Sequence, residues 1–232
     1  MQHHERQRLW WRLTLLAGIA MLAITIAFTR IEGLALCGPS DLRDVLAFEF
    51  ARGPDDIATI FGGEPCTSRL VAAFTRHTWL DILGYIPAFT LFQIFAALAL
   101  RQQGSRLAGL VIGAAIIAGL CDQAEDQILL AIMAALPGTQ SMTAWLFPFV
   151  ITKFALLAIN CILIGLLVWR RTGGWRIAGG IMMLGGAVGL AGTLARSLYG
   201  LLAAGIGPAW VALLIVALLS AFGTRPSRLN QS

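Results

Sequence analysis

Long apolar runs, each near the length of a bilayer-crossing helix, alternate along this chain with short polar connections. Six stand out, at roughly 9–31, 78–100, 107–136, 144–169, 177–199 and 205–222. About 20 largely apolar residues carry a helix across hydrocarbon. Lipid offers no partner to a free backbone amide, so a span is a helix or part of a closed barrel. Runs this long and uniform lack the alternation of barrel strands. The pattern predicts an all-α fold, a polytopic membrane bundle of six transmembrane helices forming a single transmembrane domain over residues 1–232.

Between the first two runs lies the only sizeable polar segment, 32–77, expected to form a small extracytoplasmic helical cap. After Asp41, residues Leu42, Val45, Leu46 and Phe50 recur at helical spacing. Pro54, Asp55 and Asp56 suit the first turn of a second short helix, and Gly62 its end. Two short amphipathic helices over the mouth of the bundle satisfy this pattern.

Composition agrees: 58% of residues are apolar and 12% charged, with a mean hydropathy of +0.78, far from an ordinary soluble domain. Charge then sets the orientation, because basic flanks stay cytoplasmic. Arg6, Arg8 and Arg12 open the chain, Arg101 and Arg106 sit between the second and third runs, Arg170, Arg171 and Arg176 between the fourth and fifth, and Arg225 and Arg228 in the tail. The opposite loops "PGTQSMT" and "LLAAGIGPAW" carry no charge, and 32–77 holds seven acids against four arginines. Both termini are expected in the cytoplasm of a bacterial cell, with the chain multi-pass in its inner membrane. The arginines are absorbed by this topology, so the expected partners are membrane lipid and a homo-oligomer or partner membrane subunit, and not nucleic acid. The first run is longer than a signal-peptide core, and bulky Leu36 before Cys37 does not suit lipoprotein cleavage, so an uncleaved first helix is expected.

Cys37 and Cys66 bracket the cap, where a bridge would close a loop of about 30 residues, worth about 3–4 kcal/mol in the chain-entropy model. Cys121 and Cys161 fall inside runs and read as inert thiols. Gly185, Gly189 and Thr193 form a small-residue row that lets a neighbouring helix approach closely.

The polar residues inside the runs carry the candidate chemistry. Asp122, Glu125 and Asp126, in "GLCDQAEDQILL", share one helical face, with Gln123 and Gln127 beside it. An ionised carboxylate at mid-bilayer costs about 2.5–3.5 kcal/mol on insertion scales, so that face is expected to look into the bundle or a wet cavity. Lys153, the sole lysine, falls at a matching depth on the next run, and a pair with Glu125 or Asp126 is expected, with Asn160 extending the stripe. One lysine cannot neutralise three acids, so either the excess acids carry protons or arginines help. Asp81 and Tyr85 open the second run, and Arg30 and Arg196 end the first and fifth at the same level, so Asp81–Arg196 or Asp81–Arg30 would complete an outer polar set. No His/Cys set suits zinc or haem, no triad histidine lies in a run, and "RTGGWR" is not a phosphate loop, so no cofactor or metal is expected. Hard cations accept carboxylates, but Lys153 beside Asp122, Glu125 and Asp126 argues against one.

The segments "TWLDILGYIPAF", "GLCDQAEDQILL" and "ITKFALLA" resemble a group of uncharacterised bacterial multi-pass inner-membrane proteins with Asp, Asp-x-x-Glu-Asn and Lys on successive helices. The likeness covers roughly 40–165 and would mark Asp81, Asp122, Glu125 and Lys153; Asp126 stands where the group has Asn. It implies a site and no reaction. Three roles stay open: a non-catalytic membrane assembly subunit, proton-linked transport of a small solute or ion, and an intramembrane enzyme acting on a lipid head group.

Overall fold

The computed structural model describes residues 2–38, 40, 44–195 and 198–223. Its helices are α1 (Gln2–Phe28), α2 (Asp44–Glu49), α3 (Pro54–Phe61), α4 (Cys66–Leu80), α5 (Ile86–Leu100), α6 (Ser105–Ala134), α7 (Gln140–Trp169), α8 (Trp175–Leu194) and α9 (Leu201–Phe222). A π-helical turn, Asp81–Tyr85, joins α4 to α5, and a 3-10 turn, Arg101–Gln103, precedes α6. There is no strand among the described residues. Six stretches are long and apolar enough to cross a membrane: α1, the continuous α4–π–α5 rod, and α6 to α9. The chain is an all-α polytopic bundle of integral-membrane type.

Each spanning helix packs on its neighbour in sequence, and α9 returns to α1, so the six form a closed ring. The described chain ends share one end of the ring; α2 and α3 cover the other, called here the cap end. Leu16, Leu110, Leu120, Ile177, Leu184 and Ile215 point outward and exposed, an apolar girdle suited to lipid. Small residues set the closest approaches. A Cβ on Gly165 of α7 would meet the Gly179 carbonyl oxygen of α8 at 2.8 Å, and one on Gly185 of α8 would meet that of Gly205 on α9 at 2.5 Å. The Gly185/Gly189 row therefore seats α9, while Gly179 and Gly186 on another face of α8 seat α7.

The two short cap helices form where the pattern places them, though Asp41 and Leu42 lie outside the described residues. Pro54 opens α3, Asp56 accepts a hydrogen bond from the Arg52 amide at 2.7 Å, and Gly62 ends the helix at φ 58°. Cys37 and Cys66 are bridged by a disulfide. Phe48, Phe61 and Phe74 meet with ring centroids 5.1 to 5.8 Å apart. Around them Ile57, Leu70, Leu129, Ile132 and Val150 join cap and bundle in one apolar cluster.

The second membrane helix starts earlier than its hydropathy suggests. Instead of beginning at 78, helix runs unbroken from Cys66, so the last part of the 32–77 segment belongs to the rod. Leu70, Ala73, Phe74 and Thr78 bury one face, while Arg69 and Arg76 stay off it and lower the mean hydropathy of that stretch.

Candidate functional site

Pro87 explains the π turn at the start of the site. Proline has no amide hydrogen and its ring clashes with the carbonyl four residues back, here Leu83. The chain answers by widening one turn, and the Ile86 amide donates to the Asp81 carbonyl five residues back. Ile82 then loses its α-helical donor, and its π-helical donor would be Pro87 itself. Gln123 Nε2 of α6 fills the gap, donating to the Ile82 carbonyl at 2.9 Å. Gln123 thus closes a backbone vacancy, and Asp81 stays buried at the head of the turn. π-helical turns of this kind concentrate at functional sites.

Lys153 projects from α7 into the middle of the bundle and is 4% exposed. Its Nζ lies 2.9 Å from Asp122 Oδ1, 2.9 and 2.8 Å from the two Glu125 oxygens, and 3.4 Å from Glu49 Oε1. Nζ also sits 4.5 Å from the centre of the Phe154 ring. Of the two partners expected for Lys153, Glu125 holds the amine and Asp126 does not, while Asp122 and, at longer range, Glu49 join it. Residues 122 and 125 face α7, whereas Asp126 is turned about 100° from Glu125, toward Asp81. One oxygen from each of Asp81, Asp122 and Asp126 lies within 4.8 Å of the others.

Asn160 is also placed differently. It lies about 10.5 Å further along α7 from Lys153. Its Nδ2 donates to Gln93 Oε1 at 2.8 Å and to the Val111 carbonyl at 3.2 Å, forming a separate amide node. Among the described residues Asp81 makes no ion pair, and Arg30 is exposed. Arg196 lies outside the described residues. Tyr85 packs between Phe28, Phe89 and Trp210, with centroids 5.5 to 6.3 Å away. Tyr199 accepts a hydrogen bond from Arg52 Nη2 at 2.9 Å and stacks on Phe50.

Glu49 is the residue that sequence reasoning missed. It closes α2 between Phe48 and Phe50 and is 6% exposed. The signal was there: 49 falls on the same helical face as Val45 and Leu46, an acid on the buried side of an amphipathic cap helix. Gln93, lone and polar in "FTLFQIFAAL", was missed likewise.

Five carboxylates, those of Glu49, Asp81, Asp122, Glu125 and Asp126, are buried around one ammonium. Fully ionised, the set would carry a net charge of −4, which a low-dielectric interior does not sustain. Oxygens of Glu49, Asp81 and Asp126 are buried without a hydrogen-bond donor. The polar layer lies between two apolar clusters, with Leu129 and Val150 on the cap side and Ala118 and Leu157 on the other. Chemically, such a layer takes up positive charge, as protons or, at the three-aspartate corner, as a hard cation that accepts oxygen ligands. Lys153, already 2.9 Å from Asp122, supplies one positive charge at the edge of that corner.

Compared with models of known protein families, with curated proteins and with solved structures, the chain matches none of them.

Proposed function

We propose that this chain is a multi-pass protein of the bacterial inner membrane, with cytoplasmic termini, that links proton uptake at the buried cluster to movement of a small solute or ion. One observation carries the reading: five buried carboxylates gather near a single amine that contacts only three of them, and one of those three, Glu49, belongs to the cap. The excess of acid makes the layer a proton acceptor. The arginine distribution supports the orientation, and the resemblance marking Asp81, Asp122, Glu125 and Lys153 supports the choice of residues.

The groups that face one another are Glu49 from α2, Asp81 from the π turn, Asp122, Glu125 and Asp126 from α6, and Lys153 from α7. A proton arriving on Glu125 removes its charge and weakens its hold on the Lys153 ammonium. The ammonium is then left to Asp122 and Glu49, and its short contacts to Glu125 are the ones that yield. The stronger pull on Glu49 shifts α2 at the cap end, so the proton is linked to the position of the cap over the layer. Loss of the proton restores the Glu125 pair and reverses the shift.

The test is proton flux after a pH jump across proteoliposomes containing wild type, Glu125→Gln or Lys153→Met. Wild type is expected to exceed protein-free vesicles, and both variants to lose most of that excess. Equal flux in all three ends the reading. A second reading, in which the layer fixes helix register in a non-catalytic membrane assembly subunit, is favoured by the complete burial of Glu125. It expects wild-type flux no greater than that of empty vesicles.

A further inference from the structure

At the end opposite the cap, a groove of about 470 Å³ opens between the start of α1 and the turn joining α5 to α6. Arg6, Gln7, Trp10, Arg101, Gln102 and Ser105 line its polar part. Its backbone is already settled on one side, because Gln7 Nε2 donates to the Ala99 carbonyl at 3.0 Å. Its charge is not. Neither Arg6 nor Arg101 makes an ion pair among the described residues. α6 starts at Ser105 with no side-chain cap, so the positive end of a 30-residue helix opens toward the same groove.

The groove sits at a defined level of the bilayer. Trp10, Trp11, Trp169 and Trp175 lie at this end of α1, α7 and α8, where amphipathic rings mark the boundary between acyl chains and head groups. Arg6 is one turn beyond Trp10 on the same face. A guanidinium just outside the aromatic level, a second on the facing turn and an apolar floor of Leu98 and Ala99 match a lipid: phosphate outside, glycerol and chain inside. A zwitterionic head group brings its own cation toward the two arginines, whereas an anionic one does not.

We propose that this groove binds the phosphate of an anionic phospholipid from the surrounding leaflet, with Arg6 and Arg101 as its two ligands. The site is independent of the buried carboxylate layer. Guanidinium groups suit it because they meet phosphate oxygens through two parallel hydrogen bonds.

The test uses the full chain in nanodiscs of phosphatidylcholine doped with phosphatidylglycerol, counting lipids retained on release into detergent by native mass spectrometry. Wild type is expected to retain phosphatidylglycerol in preference to phosphatidylcholine. Arg6→Gln and Arg101→Gln should each weaken that retention about five-fold, and the double variant about thirty-fold. Arg12→Gln, on the same helix outside the groove, should leave it unchanged. Arg6→Lys with Arg101→Lys, which keeps the charge, should recover part of the preference and guards against a folding defect in the glutamine pair. Equal retention of the two lipids by wild type overturns the proposal, as does wild-type retention in a double glutamine variant with an unaltered melting temperature. A parallel arm adds inorganic phosphate to the detergent-solubilised chain. Displacement of the lipid at similar concentrations would reassign the groove to soluble phosphate and overturn the lipid assignment.

Discussion

Lys153 is a single amine holding carboxylates from two elements, and the cost of removing it follows from what stays behind. A buried charge set broken from one side costs about 3–5 kcal/mol, because the remaining ions lose their compensation. Lys153→Met is expected to lower unfolding stability in detergent by that amount. Asp126 is different: it makes no contact with the amine, one of its oxygens lacks a donor, and it sits beside two other acids. Asp126→Asn is therefore expected to leave the melting temperature unchanged or raise it, and a large drop would contradict this division of roles. At this scale the sequence carried the identity of the central acids and of Lys153, because ionisable residues in apolar runs are conspicuous. It did not carry their partners. Choosing Asp122 over Asp126 depends on a helix rotation of about 100° per residue, which spacing leaves open. Glu49 was hidden because charge in a polar segment looks ordinary until α2 is seen to bury it.

At the scale of elements, the spanning helices were legible because the bilayer imposes their length and the chain has no other way to satisfy its amides. The join between α4 and α5 was not. Pro87 was visible, but proline alone does not say whether a helix kinks, ends or widens. The widened turn depends on Gln123 reaching across from α6 to the Ile82 carbonyl. This gives a coupled prediction. Gln123→Leu strands a buried carbonyl and is expected to cost about 1–3 kcal/mol of stability. In a Pro87→Ala background, Ile82 regains an α-helical donor, and the same Gln123→Leu substitution should cost clearly less. Thermal unfolding of the four chains forms the cycle, and additive costs would separate Gln123 from the π turn.

For the whole molecule, the six spans and the cap were legible from hydropathy and charge, whereas the ring order and the seam between cap and bundle were not, because both depend on which helix faces meet. Arg69, Arg76 and His77 pull down the hydropathy of a stretch that is nonetheless part of the second rod. That seam is held by the Cys37–Cys66 bridge across 29 residues and by the aromatic cluster beneath it. Removing the bridge with Cys37→Ala and Cys66→Ala is expected to cost about 3–4 kcal/mol, from the loop it closes. The loss should be matched by adding reductant to wild type and absent when reductant is added to the double variant.

Cys66 and Asp81 stand at the two ends of one stiff shaft, the fifteen residues of α4 and the residue after it, about 22 Å long. Its upper end is riveted to the cap by sulfur, and its lower end carries an acid of the buried layer. The rod contains no loop between those ends, so the place of the disulfide and the place of the acid are set together by one run of helical backbone.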